Sequence, residues 1–149
     1  MSVEDNTRPR HTLTRKERLR GEKTIERLFN GSGSRAMAAF PLRLVCMAAE
    51  RKEGEATAQM MVCVPKRRLH DAVDRNRVKR QVREAYRLNK HILRGDASTK
   101  TLMAFVYIDD KPHESSVISA SVARLLQRQS ERNMGTSPHS RHNSTHKKR

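Results

Sequence analysis

The order of apolar patterns along the chain predicts an α+β fold in which one sheet carries helices. Amphipathic helical patterns stand near both ends, and three apolar segments with strand character lie between them. A basic helical segment separates the second strand from the third. The predicted order is therefore helix, strand, strand, helix, strand and helix, with the basic segment as a crossover between two strands.

The N-terminal helix is predicted within residues 13–30, where Ile25, Leu28 and Phe29 recur at helical spacing before a glycine. The glycine- and serine-rich residues 31–39 are predicted to form a loop. They lack the third glycine or the Gly-Lys-Ser/Thr ending of a phosphate-binding loop.

The strands are predicted at residues 40–48, 58–64 and 101–108. A polar loop joins the first two, which predicts an antiparallel hairpin. The third is almost continuously apolar, which is typical of a strand buried on both faces. The last helix is predicted to begin near Ser115 or Ser116, either of which can cap it.

The length of 149 residues predicts one domain with two tails. Residues 1–12 and 132–149 are polar, lack apolar periodicity and are expected to be disordered. Residues 13–131 remain as the folded domain, which is large enough to bury about two thirds of its unfolded surface.

The charge balance predicts a polyanionic partner. Thirty-two Lys and Arg residues against sixteen Asp and Glu residues give a net charge of +16, a field that attracts nucleic acid or an anionic membrane. No apolar run reaches the roughly 18–20 residues that span a bilayer, and no signal-peptide core is present. Cys46 and Cys63 cannot form a disulfide framework and are predicted to be buried thiols. We therefore expect a cytoplasmic protein that binds no membrane.

The basic segment Asp74–Arg87 has six Arg or Lys residues in fourteen positions. At about 100° per residue, its apolar side chains and those that follow gather on one side: Val78, Val82, Ala85, Tyr86, Ile92 and Leu93. The opposite side is cationic: Arg75, Lys79, Arg80, Arg83, Arg87 and Lys90. The apolar side must face the sheet, so the cationic side is predicted to point outward.

Residues 66–94 carry eleven basic and three acidic side chains, which is half of the excess charge of the chain. A helix that is only solvated would mix signs, because each i,i+4 pair contributes roughly 0.2–0.5 kcal/mol. Arginine outnumbers lysine eight to three in this region, which favours bidentate contacts to phosphate. Aromatic residues are scarce, so extensive base stacking is not expected. The pattern predicts binding to the backbone and shape of a nucleic acid.

Asn76, between two arginines, has two interpretations. Its amide can cap a helix start, or it can contact RNA or a metal–water cluster.

Candidates for catalysis are weaker. Phosphodiester hydrolysis by protein groups normally uses clustered carboxylates with metal ions, or a pair of histidines. Asp109 and Asp110 are predicted to form a polar turn, and His70 and His91 to face solvent or RNA. We predict no catalytic residue and no metal site in the protein.

The segment from Ala72 to Tyr86 resembles the signature of the protein subunit of bacterial ribonuclease P. The family pattern is Ala-Val-x-Arg-Asn-Arg-x-Lys-Arg-x-x-Arg-x-x-aromatic. It is matched at every named position: Ala72, Val73, Arg75, Asn76, Arg77, Lys79, Arg80, Arg83 and Tyr86. The similarity extends to RLRGEKTIERLFNGS near the N-terminus and to TLMAFVYI, and covers about residues 13–131.

The resemblance implies a single αβββαβα sandwich. The Arg-rich helix would form a left-handed βαβ crossover between parallel strands, against the general right-handed rule. The apolar patterns themselves indicate three strands, so the fourth is expected to be short and close to the lysine-rich turn at residues 66–68.

The resemblance also implies a non-catalytic subunit of an endoribonuclease that removes the 5′ leader from precursor tRNA. The catalytic RNA subunit would supply the active site and hold most of the Mg2+. The implied partners are this RNA and precursor tRNA, with no obligatory protein partner. Motif positions assign RNA binding to the turn and the Arg-rich helix: Lys66, Arg67, Arg75, Asn76, Arg77, Lys79, Arg80, Arg83 and Arg87.

A central cleft between the sheet and the first helix holds the single-stranded leader in this family. By motif position the cleft would include Ile25, Phe29, Phe40 and Arg43. The family usually has an aromatic residue at the position of Ile25 and often one at that of Arg43. Leader stacking should then be weaker here, and phosphate contact through Arg43 stronger.

Two other classes of nucleic-acid-binding protein share much of this pattern. A ribosomal or ribosome-associated RNA-binding protein would have the same size, charge and tails but would not need a cleft for a mobile strand. A DNA-binding module could place the Arg-rich helix in the major groove, but its apolar side would then need a helix-turn-helix partner.

Overall fold

The structure, a computed structural model, describes residues 13–95 and 97–135, without the side chains of the last two. The predicted tail at residues 1–12, and residues 136–149 of the other tail, lie outside the described residues. The elements are α1 (Glu22–Asn30), β1 (Arg35–Ala39), β2 (Leu42–Glu50), β3 (Ala58–Cys63), α2 (Ala72–Asn89), β4 (Thr99–Tyr107) and α3 (Ser115–Gly135). Short 3-10 turns occur at Arg15–Glu17 and Lys90–Ile92.

The four strands form one sheet in the order β1-β2-β4-β3. Strand β2 is antiparallel to both β1 and β4, whereas β3 runs parallel to β4. Helix α2 connects the parallel pair, so the predicted αβββαβα order and the crossover role of the basic helix are confirmed. The left-handed sense of that crossover stays a prediction.

Two strand predictions are wrong. The first two predicted strands do not form a hairpin, because β4 lies between β2 and β3 and pairs with β2 from Leu42–Tyr107 to Glu50–Thr99. The nearly continuous apolar sequence of β4 suits this central position, where both faces are covered. The additional strand is not near residues 66–68. It is β1, in the segment predicted to be a loop, where small alanines hide the alternation between exposed and buried positions.

Each face of the sheet packs against different helices. One face, which we call the α2/α3 face, carries the larger core, in which Leu44, Phe105 and Leu125 are fully buried. The opposite face, the α1 face, carries a smaller cluster of Leu19, Leu28, Leu102 and Ala104. Alternate residues of β2 and β4 point to opposite faces, which places the helices on both sides of one sheet.

The predicted apolar side of α2 is confirmed. Val78 and Val82 are fully buried, and Ala85 and Tyr86 are nearly so. Ile92 and Leu93, which follow α2, are partly buried against the same core. The final helix begins at Ser115 and continues to Gly135, four residues beyond the predicted domain end at Glu131. None of the described helices is long and apolar enough to cross a bilayer.

The N-terminal segment is tied to two other elements. The amide of Leu19 donates to the carbonyl of Met60 at 2.9 Å, which covers part of the edge of β3. In the 3-10 turn before it, the Glu17 carboxylate accepts from the Lys90 ammonium at 2.8 and 3.0 Å. Both side chains of this ion pair are mostly buried, so the pair fastens the segment to the end of α2.

Two opposing effects act on the pKa of Glu17. Partial burial raises the pKa, but the hydrogen bonds from Lys90 and Thr14 outweigh burial and lower it below the ordinary glutamate value. A carboxyl group whose pKa is lowered in the folded state stabilises the protein above its unfolded pKa. That contribution is lost as the pH falls through the folded pKa.

Glu17→Gln should lower the free energy of unfolding at pH 7 by about 1 kcal/mol, the upper range for a partly exposed ion pair. Glutamine keeps an acceptor for Thr14 and removes the charge. The difference from wild type should shrink as the pH falls below the ordinary glutamate pKa of about 4.3. Urea denaturation at several pH values measures both effects.

Glu26→Gln is the matched control, because Glu26 is exposed on α1 and has no ion pair within the described residues. It should change stability little at any pH. An equal loss in both variants, or a loss for Glu17→Gln that is constant with pH, would contradict the role of the Glu17–Lys90 pair.

Candidate RNA interface

The turn before α2 carries the first basic residues of the candidate interface. Amides of Arg68 and Leu69 donate to the carbonyl of Pro65 at 3.0 and 3.3 Å, and Leu69 is buried. The Arg75 guanidinium closes the turn from the helix side, since Nη1 donates to the carbonyls of Leu69 at 2.9 Å and His70 at 2.7 Å. Arg75 is therefore a structural brace as well as a cation.

The outward side of this region presents a row of cations. The exposed members are Lys66, Arg67, Arg77, Arg80 and Arg83, and Lys79 is half-buried. Among the described residues, none of these six side chains has a hydrogen-bond or ion-pair partner. We call these six residues the cationic surface. Its charges repel one another and are available to an external anion.

Three members of the predicted cationic side have partners inside the protein. Arg75 braces the turn, Lys90 pairs with Glu17, and Arg87 binds Glu84, with a distance of 3.2 Å from Nε to Oε1. The hydrogen bond from Arg87 lowers the pKa of Glu84 below its usual value. The prediction of one uniformly outward cationic side is thus wrong at its two ends, because carbonyls of the preceding turn and the carboxylates of Glu84 and Glu17 lie there.

Asn76 is exposed and lies inside α2, which begins at Ala72 after Asp71. The capping interpretation is therefore wrong, since a cap must precede the first helical turn. The side chain has no hydrogen bond within the part of the chain that the structure describes. Asn76 lies between Arg75 and Arg77 in the chain, and contact with RNA or with a metal–water cluster stays its predicted role.

Three of the four predicted cleft residues share the α1 face. Ile25 of α1 packs against the small cluster, as Met47 of β2 does, and Phe29 on the same helix is 41% exposed. Arg43 is exposed on β2, on the side opposite the larger core. Helix α1 packs on β2 and β4.

Arg43 begins a row of side chains that crosses three strands on the α1 face, where the predicted cleft would have its floor. Strand register aligns Arg43 with Val106 of β4, and Val106 with Cys63 of β3. Val106 and Cys63 are only half-buried, so this row is less covered than the fully buried side chains behind it. We call Arg43, Val106 and Cys63 the open strip. It is an apolar floor with one cation at its edge.

Phe40 lies apart from the other three predicted cleft residues. It occupies the turn between β1 and β2, where it is 62% exposed and contacts His113 edge-on at a ring distance of 5.9 Å. The cavity that it borders is lined by Val117 and Ser121 of α3. Phe40 therefore belongs to the α2/α3 face, whereas the cleft prediction requires the α1 face.

The turn at Asp109 and Asp110 is held by side-chain contacts, which fits its predicted role as a polar turn. Asp109 bonds the ring of His113, and Asp110 meets Arg68 at 3.3 Å. The hydrogen bond from His113 lowers the pKa of Asp109. Burial raises the pKa of nearby Tyr107 to about 12. Within the described residues, no group of three or more His, Cys, Asp or Glu side chains could hold a metal ion.

Gln81 is a positioning residue that sequence reasoning missed. Its amide nitrogen donates to the carbonyl of His113 and to the hydroxyl of Ser115, both at 3.0 Å. These bonds fix the start of α3 against the middle of α2, and thereby orient the cationic surface. The signature leaves this position unspecified, and periodicity places it between the two sides of the helix, so no local signal marks it.

The two cysteines differ in burial. Cys46 is buried, its thiol donates to Oε1 of Gln129 at 3.0 Å, and burial raises its pKa. Cys63 is only half-buried in the open strip. The prediction of a buried thiol is thus confirmed for Cys46 and holds only in part for Cys63.

Comparisons with known proteins agree with this architecture. The family model for ribonuclease P matches residues 13–129. The ribonuclease P protein component of Porphyromonas gingivalis is 37% identical over 117 residues, which cover 76% of this chain and 83% of that protein. The same component of Chlorobaculum tepidum is 36% identical over 107 residues, which cover 65% of this chain and 68% of that protein.

A solved structure shows the same fold. The ribonuclease P protein from Thermotoga maritima superposes with a TM-score of 0.58 at 20% identity, covering 75% of this chain and 96% of that one. The family match spans every described helix and strand up to the last turns of α3. The family match and the sequence relatives together show that the chain belongs to the ribonuclease P protein family.

Proposed function

We propose that this chain is the RNA-holding, non-catalytic subunit of ribonuclease P, acting in the cytoplasm. The cationic surface binds phosphates of the catalytic RNA, and the α1 face holds the 5′ leader of precursor tRNA. The observation that carries the proposal is the cationic surface itself. Its six basic side chains have no partner among the described residues, and they lie on α2, whose other side is buried, and on the turn before it. Such a surface lowers its self-repulsion when it binds a polyanion.

Binding is electrostatic in this account. Arginine forks and lysine ammonium groups contact phosphate oxygens and release the counterions that the RNA had condensed. If about six phosphates are neutralised, a fourfold rise in salt should weaken binding by roughly two to three orders of magnitude. The buried apolar side of α2 keeps these groups in fixed relative positions, so little ordering is needed on binding.

The leader is held by a mixture of apolar contact and charge. Phe29 offers an exposed ring on α1, and Arg43 offers a guanidinium at the edge of the open strip. A single strand can stack one base on an aromatic ring while a cation contacts its backbone. This grip acts on precursor tRNA alone, because mature tRNA lacks the leader, and so it raises affinity for substrate over product.

Hydrolysis in this proposal is performed by the RNA subunit, with Mg2+ held mainly there. The paired carboxylates that follow β4, Asp109 and Asp110, already bind His113 and Arg68. They do not offer the clustered, open oxygen ligands that Mg2+ prefers. The protein contributes by screening phosphate repulsion and by positioning the leader.

Replacing both Arg80 and Arg83 by alanine should weaken binding to a bacterial ribonuclease P RNA and make it less sensitive to salt. For every phosphate that the variant no longer neutralises, the slope of log affinity against log salt should fall by about 0.7–0.9. Filter binding at several salt concentrations measures both quantities. Arg75 is kept, because its removal would also release the turn before α2.

Arg124 is exposed on α3, and Arg124→Ala removes one positive charge outside the cationic surface, so this variant serves as the control. It should leave the slope nearly unchanged. If the control lowers the slope as much per charge as the double variant, the RNA is attracted to the net charge of the protein and not to this surface.

Phe29→Ala should weaken binding of precursor tRNA to the assembled complex by about 1 kcal/mol, the lower value for one stacked base. Affinity for mature tRNA and for the RNA subunit should not change. Phe40→Ala should leave all three affinities unaltered, because Phe40 lies on the other side of the sheet. A loss of precursor binding from Phe40→Ala, with none from Phe29→Ala, would overturn the assignment of the leader to the α1 face.

A further inference from the structure

A second group of basic side chains lies at the sheet edge formed by β1, beside the C-terminal part of α3. A cavity of about 340 Å³ opens there between β1, β2 and the C-terminal part of α3. Its walls include two arginines, Arg35 of β1 and Arg132 of α3, together with Cys46, Gln129 and Asn133. Helix α3 packs on β1, whereas β3, which leads into α2, forms the opposite edge of the sheet. The cavity is therefore separate from the cationic surface.

The amide side chains of the wall are already committed to one hydrogen-bond chain. Cys46 donates to Gln129, whose amide nitrogen donates to Oδ1 of Asn133 at 2.9 Å. Asn133 in turn donates to the carbonyl of Arg94 at 2.7 Å. These bonds hold the wall in place and involve neither arginine side chain. The cavity can therefore keep its shape when the two arginines bind an external group.

Arg132 has a buried donor without an acceptor. Its Nη1 is shielded from solvent and makes no hydrogen bond among the described residues. Leaving a buried donor of a charged group unsatisfied costs free energy, so such groups normally have a partner. Arg35 adds a second, exposed guanidinium at the same cavity, and no Asp or Glu side chain of the described part of the chain lines it.

The positive charges of the two arginines both act on the pKa of the neighbouring Cys46 thiol. Burial raises the pKa of Cys46, and the positive charges of Arg132 and Arg35 oppose that rise. Both guanidinium groups thus act on the same small region. A cavity with two guanidinium groups in its wall is suited to an anion with several acceptor oxygens.

We propose that the cavity between β1, β2 and α3 binds a phosphate group through Arg132 and Arg35. The volume corresponds to roughly ten water molecules, which is enough for a phosphate with part of its substituent. The group can be a phosphodiester of bound RNA or free inorganic phosphate, since both present the same oxygens. The site goes beyond the proposed function, because it uses neither the cationic surface nor the open strip.

The test uses the full-length chain and inorganic phosphate as the probe. Phosphate is titrated at constant ionic strength, with chloride as the replaced anion, and the Nε–H signal of Arg132 and the amide signal of Gly33 are followed by NMR. Gly33 also lines the cavity. The variants are Arg132→Gln and Arg35→Gln, and Arg124→Gln is the control for charge on the same helix as Arg132. Circular dichroism checks the fold of each variant, and Arg35, which is exposed, keeps the test available if Arg132→Gln unfolds.

We expect both signals to move in the wild type. The cavity variants should weaken phosphate binding there by about tenfold, the usual consequence of losing one charge-assisted hydrogen bond, and Arg124→Gln should not. Signals that stay unmoved by phosphate in the wild type, or equal phosphate affinities in all three variants, would overturn the proposal.

A second arm identifies the source of the phosphate. Affinity for a bacterial ribonuclease P RNA is measured for the same variants at one salt concentration. A larger loss for Arg132→Gln and Arg35→Gln than for Arg124→Gln supports the site as a contact to an RNA phosphodiester. Equal losses in RNA affinity, combined with weaker phosphate binding in the cavity variants alone, support a site for free phosphate.

Discussion

Burial of the apolar side of α2 against the sheet is the constraint on which the rest of the molecule depends. As an isolated helix α2 would be destabilised, because its basic residues repel one another at i,i+3 and i,i+4 spacing. Complete burial of Val78 and Val82, with Tyr86 close behind, offsets that repulsion. Because this side is buried, the charged side of the helix faces away from the protein.

Around this helix the fold neutralises some charges and leaves others exposed. At its ends, Arg75, Arg87 and Lys90 are held by carbonyls or carboxylates of the protein. In its middle, Arg80 and Arg83 are exposed. The ends of the helix thus stabilise the fold, and its middle is available for RNA. Helix α2 packs on the sheet and on α3, but β4 separates the two helices in the chain, so they do not form a helix-turn-helix motif that reads DNA. The family match removes the reason to prefer a ribosomal protein.

Patterns that depend on neighbouring residues were predictable, and those that depend on distant ones were not. The 3.6-residue period of α2 identified its buried residues, and the continuous apolar run of β4 identified a strand buried on both faces. No local sequence pattern indicates that β4 inserts between β2 and β3, or that the alanines before Phe40 form an edge strand. Nor could the sequence show that Glu17 reaches Lys90, or that Phe40 faces α3, because both contacts join segments far apart in the chain.

The central claim is that this protein holds RNA and leaves the chemistry to its partner. Cleavage of 5′-labelled precursor tRNA at low Mg2+ tests it most directly, with a bacterial ribonuclease P RNA alone, with this protein alone and with both. We expect efficient leader release only when both are present. Cleavage by the protein alone would contradict it, as would tight binding to a competent RNA without any enhancement of leader release.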